Sequence, residues 1–182
     1  MRILIVYATT EGHTRNISRF IAIRLVAAGH EVTLCDAADA RPPDPAGFGA
    51  AILAGSLHVG HYQAALVHYA KRWHAALDRT PSAFVSVSLA AASDNLAEVA
   101  GLTPCLERFE VQTGWTPRWV HQAAGAILYS KYDFFRRLAM RAIAKRHGAG
   151  TSGDHDYTDY QALGRFVDDI AVTAAAPVLE PA

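Results

Sequence analysis

The sequence predicts an α/β fold built on a doubly wound parallel sheet of five strands. Short apolar runs recur along the chain, and unbroken apolar runs suit strands that are buried on both faces of a parallel sheet. Segments with helical spacing of apolar residues separate these runs, as the alternation of strands and helices in such folds requires. The predicted strands cover residues 3–7, 31–35, 50–54, 83–89 and 118–125.

The composition of the chain limits the classes of protein to which it can belong. Its 182 residues are enough for one domain with a substantial core, and 51% of them are hydrophobic. The formal net charge is zero, which gives no overall attraction to nucleic acid. Cys35 and Cys105 form no Cys-x-x-Cys pair, which favours a reducing compartment. The sequence has neither a signal-peptide pattern nor an apolar stretch of about 18 residues, so we expect any membrane contact to be peripheral.

Four helices are expected between and after the strands. The third is expected to begin at Thr103 and Pro104, with threonine as the cap and proline in the first turn. The last is expected to begin at Thr158, because Thr158 and Gln161 have the spacing of a capping box. The first two are expected over residues 17–28 and 62–78.

The loop after the first strand has the composition of a phosphate-binding site. Residues 9–14 read Thr-Thr-Glu-Gly-His-Thr and lead directly into the first helix. A helix N-terminus attracts phosphate through free N–H groups and its dipole, threonine hydroxyls add donors, and Gly12 allows close approach of the backbone. The loop has neither the Gly-x-Gly-x-x-Gly pattern of dinucleotide-binding proteins nor the Lys-Ser/Thr pair of triphosphate hydrolases. The alternative is a loop whose threonines only cap the helix.

Two further loops are expected at the same edge of the sheet. They cover residues 55–61, after the third strand, and 89–102, after the fourth. Ligands of open parallel sheets bind beyond the carboxyl ends of the strands, where the strand order reverses. With that topology, the three loops converge on one site.

The segment 126–157 is longer than a simple connection in a compact fold, and we expect it to be functional. Apolar residues recur at helical spacing from Phe134 to Ile143, and basic residues crowd the other positions. A basic amphipathic helix is typical of contact with a membrane surface or an acidic ligand, and the alternative is a solvated surface helix. We therefore expect one domain over residues 1–175 that carries this helical insert, followed by a tail over 176–182.

Five stretches of the chain match the motifs of one family. They are Thr-Thr-Glu-Gly-His-Thr-Arg at 9–15, Gly-His-Tyr at 60–62, Pro-Ser-Ala-Phe-Val-Ser-Val at 81–87, Gly-Ala-Ile-Leu-Tyr-Ser-Lys-Tyr-Asp at 125–133 and Tyr-Thr-Asp at 157–159. In these the chain resembles the menaquinone-dependent protoporphyrinogen IX dehydrogenases, a flavodoxin-like family of haem biosynthesis. The resemblance covers almost the whole chain, and Gly-His-Tyr with Tyr-x-x-Tyr is its most specific part.

The chain departs from the family pattern at two places. Val59 stands where the family often has an aromatic residue. Segment 90–102 has no basic residue, where the family can carry several. The fold that the resemblance implies does not depend on either position.

The resemblance implies that the cofactor is FMN, with its phosphate on the 9–14 loop and its ring between the loops after the third and fourth strands. His58 and His61 are candidates for proton movement or for stabilising the charge of reduced flavin, and the alternative is that His61 only packs or hydrogen-bonds the loop. Because His58-x-x-His61 has no nearby carboxylate or cysteine in the sequence, no metal site is expected. The implied cofactor-binding residues are Thr9, Thr10, Gly12, His13, Thr14, Ser56, Leu57, Val59, Gly60, Ser88, Leu89 and Ala90.

The implied reaction is the oxidation of protoporphyrinogen IX, with the electrons passed to menaquinone or ubiquinone in the membrane. Arginine pairs well with carboxylates, so the arginines of the insert are expected to meet the porphyrin propionates or the membrane. We therefore expect a cytoplasmic protein, peripherally associated with the inner face of the cell membrane, with no nucleic-acid partner. The implied substrate and membrane residues are Tyr129, Tyr132, Arg136, Arg137 and Arg141.

Three other functions remain open. One is a soluble flavodoxin-like electron carrier, although such carriers are typically strongly acidic and this chain is neutral. The second is a reductase that uses NAD(P)H to reduce quinones or nitro compounds. The third is a domain that has lost its flavin and binds a partner through the insert.

Overall fold

The computed structural model of the chain describes residues 1–127 and 155–175. Its main sheet has five strands, all parallel, in the order β2-β1-β3-β4-β5. The predicted flavodoxin-like sheet and its doubly wound topology are therefore confirmed. The strands are β1 (Arg2–Ala8), β2 (Glu31–Asp36), β3 (Ala50–Ser56), β4 (Ser82–Ser88) and β5 (Trp119–Ala124).

Helices lie on both faces of this sheet, and a second, two-stranded antiparallel sheet follows β5. Two short 3₁₀ turns lie at Pro45–Gly47 and Leu89–Ala92. The second sheet pairs β6 (Ala126–Ile127) with β7 (His155–Asp156). The helices are α1 (His13–Ala27), α2 (Ala64–Arg79), α3 (Leu96–Ala100), α4 (Leu102–Thr113) and α5 (Tyr160–Ala175).

Alternate side chains of β1 supply two separate hydrophobic cores. Ile3 and Ile5 pack with buried residues of α1 and α5 on one face of the sheet. Leu4 and Val6 pack with buried residues of α2 and α4 on the other face. Successive side chains of a strand point to opposite faces, so a strand that is covered on both sides must be apolar at every position. This is why the unbroken apolar runs predicted the strands.

An aromatic cluster fixes α2 and α4 against β4. The rings of Phe84 and Phe109 stack with centroids 4.8 Å apart, and the Tyr62 ring lies edge-on at 5.0 and 5.1 Å from these two rings. The buried hydroxyls of Tyr62 and Ser86 are 2.8 Å apart and hydrogen-bonded. Because Tyr62 lies two residues before α2, this cluster also fixes the chain that leads out of the 55–61 loop.

The helix starts predicted at Thr103 and at Thr158 were both wrong. Helix α4 begins at Leu102 with Gly101 as its N-cap residue, so Thr103 and Pro104 lie inside its first turn. Helix α5 is capped by Asp159, whose carboxylate accepts hydrogen bonds from the N–H groups of residues 161 and 162 at 3.0 and 2.9 Å. Thr158 does not cap the helix, because its hydroxyl instead donates to the backbone oxygen of Ala124 at 2.8 Å.

The ends of the predicted insert are strands rather than helix. We call β6 together with residues 155–158, which contain β7, the stem, because these two stretches flank segment 128–154 in the sequence. The predicted basic helix within that segment, and the predicted tail at 176–182, lie outside the described residues.

Candidate functional site

The loops that follow β1, β3, β4 and β5 enclose one cleft at the carboxyl edge of the sheet. The strand register brings these loops level, because Ala8 lies beside Gly55, Ser56 beside Val87, and Ser88 beside Ala124. The cleft has a volume of about 420 Å³. It lies where the strand order reverses between β1 and β3, which is the usual ligand position in this topology. Its walls are Thr9, Glu11, His13, Thr14, Ser56, Leu57, His58, Val59, Gly60, Val87, Ser88, Leu89, Ala90, Gly125 and Ala126.

Gly12 shapes the loop between β1 and α1. Its φ of 95° lies in the left-handed region, where a side chain is strained. Its N–H donates to Thr9 Oγ1 at 2.9 Å, which closes a tight turn, and α1 begins at the next residue. The free N–H groups and the positive dipole end of α1 lie at this turn, and this arrangement favours an anion.

The hydroxyl of Thr14 is buried in the cleft wall. The residue is 1% exposed and lines the cleft, yet its Oγ1 has no hydrogen-bond partner among residues 1–127 and 155–175. Buried polar groups are normally paired, so an orphaned hydroxyl in a cleft wall marks a position for a ligand atom. A phosphate oxygen would accept this hydroxyl's hydrogen, and the loop therefore fits a phosphate group.

Gln63 joins the loop after β1 to the loop after β3. Its side-chain oxygen accepts from the N–H of Ser56 at 3.2 Å, and its Nε2 donates to Thr10 Oγ1 at 3.2 Å. The same nitrogen donates to Ser56 Oγ. Sequence reasoning missed Gln63, because a glutamine just before a helix has no local signal that separates it from an ordinary surface residue.

A tight turn of residues 58–61 forms one side of the cleft mouth. His58 and His61 exchange two backbone hydrogen bonds of 2.9 and 3.0 Å. The two central residues, Val59 and Gly60, have φ values of 50° and 77°, which is the left-handed pattern of a type I′ turn. Arg108 of α4 donates to the Gly60 carbonyl at 3.1 Å and holds the turn in place.

Val59 has an unusual backbone conformation and full exposure. A β-branched residue with positive φ is an outlier, and strain of this kind is found at ligand sites. The residue is 99% exposed and lines the cleft, so it presents an apolar surface at the cleft mouth.

Of the two histidine candidates, His58 lines the cleft and His61 does not. His58 Nε2 lies 3.2 Å from Ser56 Oγ and 3.5 Å from the carboxylate of Glu11. The contact between His58 and Glu11 is an ion pair only when the imidazole is protonated. Sequence reasoning missed Glu11, because nothing in the sequence indicates which side chain lies across the cleft.

Residues 87–90, at the end of β4 and just after it, form another wall of the cleft. Ser88 Oγ accepts from the N–H of Ala91 at 3.2 Å and closes the 3₁₀ turn that begins at Leu89. The N–H of Gly125 donates to the Ser88 carbonyl at 2.9 Å, which ties the end of β5 to this wall. The predicted loop 89–102 therefore contains the 3₁₀ turn and α3, rather than being one long irregular loop.

The predicted cofactor residues fall into two groups. Ten of the twelve implied positions line the cleft, whereas Thr10 and Gly12 do not. Thr10 accepts a hydrogen bond from Gln63, and Gly12 donates one to Thr9. Tyr129, Tyr132 and the three arginines of the insert lie outside the described residues.

The described residues contain no cluster of histidine, cysteine and carboxylate side chains suited to a metal ion. Within the same residues, no helix is long and apolar enough to cross a bilayer.

Comparisons with known proteins first identify the domain family of the chain. The flavodoxin domain family matches residues 4–154, so the chain belongs to that family. In structure, it is similar to a short-chain flavodoxin associated with a non-canonical PDU bacterial microcompartment. The TM-score is 0.61 at 11% identity, with 96% of this chain and 99% of that chain covered, and this likeness supports the fold alone.

Relatives that are similar in sequence identify a narrower family within this class. A Leishmania major protein named protoporphyrinogen IX dehydrogenase [quinone] is 34% identical over 95% of this chain and 76% of its own length. The Escherichia coli K12 protein of the same name is 26% identical over 99% of this chain and 100% of its own length. The chain therefore belongs to the family of quinone-dependent protoporphyrinogen IX dehydrogenases, and it is an oxidoreductase.

Proposed function

We propose that this chain is an FMN enzyme that oxidises protoporphyrinogen IX to protoporphyrin IX and passes the electrons to a membrane quinone. The observation that carries the proposal is the cleft, whose walls combine the loop at the start of α1 with apolar residues such as Leu57, Val59 and Leu89. The names of the relatives support the reaction and the choice of quinone as electron acceptor.

The chain's own residues would hold FMN at two places. The phosphate would be bound by Thr9, Thr14 and the first turn of α1, with Gly12 shaping the loop and Thr10 supporting it. The ring would lie between two walls, which are residues 56–60 and residues 88–90. When bound, FMN supplies the hydride and electron transfers, and the protein supplies binding, orientation and electrostatics.

His58 is the residue that would move protons during the reaction. Removal of a hydride from the substrate leaves a proton to be taken up, and an imidazole in the cleft wall can take it. Glu11, 3.5 Å from His58 Nε2, would stabilise the charged imidazole that results. Glu11 is partly buried, with 23% of its side chain exposed, which reduces the screening of this charge by water.

An anaerobic assay tests the proposed reaction. FMN-loaded protein is mixed with protoporphyrinogen IX and a menaquinone analogue, and porphyrin fluorescence is followed against the uncatalysed background. We expect porphyrin formation that depends on the quinone, and a rate that falls about 100-fold in His58→Gln, the low end for loss of a general base.

His61→Gln is the matched control and should keep the wild-type rate. Flavin binding without porphyrin formation would overturn the proposal, and rapid flavin reduction by NADPH would favour a reductase instead.

The insert would bring the enzyme to the membrane, where both substrates partition. Its arginines would contact anionic lipid headgroups or the propionates of the porphyrin, with Tyr129 and Tyr132 in the same region. The enzyme would then be cytoplasmic and peripherally bound to the inner face of the cell membrane.

Vesicle binding tests this role of the insert. In a cosedimentation assay with anionic vesicles, Arg136→Ala/Arg137→Ala/Arg141→Ala should bind more weakly than the wild type, by about 1 kcal/mol for each charge removed. The control is Arg41→Ala/Arg72→Ala/Arg79→Ala, which removes three exposed arginines outside the insert. The two triple variants therefore have the same net charge. Equal binding by the two triple variants would contradict a specific role for the insert.

A further inference from the structure

The phosphate loop is hydrogen-bonded to the stem through a contact between residues that are 145 positions apart. His13, at the start of α1, has its Nε2 2.9 Å from Thr158 Oγ1. The same nitrogen lies 3.5 Å from the carboxylate of Asp156, which belongs to β7. His13 is 8% exposed, so this contact is almost out of water.

The direction of the hydrogen bonds follows from their partners. Thr158 Oγ1 donates its one hydrogen to the Ala124 carbonyl at 2.8 Å, so it can only accept from His13. Burial lowers the pKa of His13, with Asp156 opposing this shift, and the neutral imidazole is therefore favoured at neutral pH. Its single N–H must be on Nε2, because that nitrogen is the one that faces the accepting oxygen.

Further hydrogen bonds hold the stem to the same network. The Asp156 carboxylate accepts from the N–H of Thr158 at 2.9 Å and from the hydroxyl of Tyr160 at 2.7 Å. The N–H of Tyr157 donates to the Gly125 carbonyl at 3.1 Å. Opening the stem would therefore separate Thr158 from His13 and leave a buried N–H without an acceptor, which is unfavourable.

The stem is also a wall of the cleft. Ala126 of the stem and the neighbouring Gly125 line the cleft, and so does His13 of the phosphate loop. A ligand that fixes the first turn of α1 therefore fixes the donor to which the stem is attached.

We propose that His13 and Thr158 are positioning residues that couple occupancy of the phosphate loop to closure of the stem. This rests on the proposed function, because FMN is the ligand that would occupy the loop. Thermodynamic linkage makes this coupling reciprocal. If FMN binding raises the equilibrium constant for stem closure by some factor, closure of the stem raises the affinity for FMN by the same factor.

Hydrogen exchange measured on the full chain, with and without saturating FMN, tests the coupling. We expect FMN to slow amide exchange in peptides covering residues 124–127 and 155–158 of the wild type by about fivefold or more, the low end of typical coupling. Thr158→Val removes the hydroxyl that links the two parts, and Thr158→Ser keeps it. In Thr158→Val, FMN should bind about fivefold more weakly and no longer slow exchange in the stem, whereas Thr158→Ser should behave as the wild type.

Each other result has a definite meaning. Equal protection of the stem in Thr158→Val and the wild type would overturn the inference, because Ala126 would then carry the effect directly. FMN binding without slower exchange in the wild type would overturn the inference and leave the proposed function intact. Failure of the wild type to bind FMN would overturn both. If Thr158→Val does not fold, His13→Leu and His13→Gln provide the same comparison, because glutamine retains an N–H donor and leucine does not.

Discussion

Thr14 illustrates how one atom can reveal a ligand position. Its hydroxyl is buried in the cleft wall with no partner in the part of the chain that the structure describes, while the chemically similar hydroxyl of Thr113 donates to the Phe109 carbonyl at 2.8 Å. A protein that keeps an unpaired buried hydroxyl loses stability, and the loss is offset only when a ligand supplies the acceptor.

We therefore expect Thr14→Val to separate stability from binding. In the FMN-free protein, the free energy of unfolding should stay within about 0.5 kcal/mol of the wild type or rise, because an unpaired polar group is removed. FMN affinity should fall about tenfold, since a hydrogen bond to a charged group is lost. Denaturant unfolding and flavin titration measure the two effects. Thr113→Val is the control, and a loss of FMN affinity there would contradict this account.

Gly12 and Gly29 offer a second matched pair. Both have positive φ, 95° and 84°, and a Cβ at Gly29 would meet no atom within 4 Å. Substitution of either residue by alanine should lower the free energy of unfolding by about 1–2 kcal/mol through backbone strain. Only Gly12→Ala should weaken FMN binding, because Gly12 shapes the phosphate loop. Equal FMN affinity in the two variants, measured by titration, would contradict the assignment of that loop.

At the scale of secondary structure, the contact between β5 and α5 contains a titratable ring. The His121 ring lies against Phe166, with centroids 5.0 Å apart. Burial lowers the pKa of His121, and Asp159 opposes this shift. The unfolded chain therefore binds a proton more readily than the folded one, and stability is lost as the pH falls below the unfolded value of about 6.5.

Replacement of this ring should flatten the dependence of stability on pH. We expect the free energy of unfolding of the wild type to fall between pH 7 and pH 5, with at most about 1.4 kcal/mol per pH unit from one group. His121→Phe should reduce that slope without abolishing it, because burial also lowers the pKa of His13. Denaturant unfolding at pH 7, 6 and 5 measures the slopes. A steeper slope in the variant would show that the sign is wrong.

The sequence predicted the strands correctly, because several apolar residues specify each strand, but it placed the starts of two helices wrongly. Apolar runs gave all five strands to within one or two residues. Threonine is a common N-cap residue, but the hydroxyl of Thr158 donates to the Ala124 carbonyl, and Asp159 caps the helix instead. A cap depends on a single hydrogen bond, and a distant backbone oxygen can compete for it, whereas a strand is specified by several side chains at once.

At the scale of the whole molecule, stability depends on the aromatic cluster beside β4. Phe84 is fully buried and contacts Phe109, Tyr62 and Trp115. Phe84→Ala should lower the free energy of unfolding by about 3–5 kcal/mol, since it leaves a cavity that these rings cannot fill. Val111, on the solvent side of α4 and 85% exposed, gives the control, because Val111→Ala should change stability by less than about 0.5 kcal/mol. Similar losses in the two variants, measured by denaturant unfolding, would contradict this view of the core.

By itself, the sequence determined the order of strands and helices, the Thr-Gly loop after β1 and the edge of the sheet at which a ligand binds. These depend on local periodicity and on residue types that are adjacent in the chain. Only the tertiary structure decided that Gln63 joins two loops, that Glu11 rather than another carboxylate faces His58, and that Thr158 receives the N–H of His13. The reason is physical: a hydrogen bond depends on distance and angle in space, and partners that are far apart in the sequence leave no local pattern.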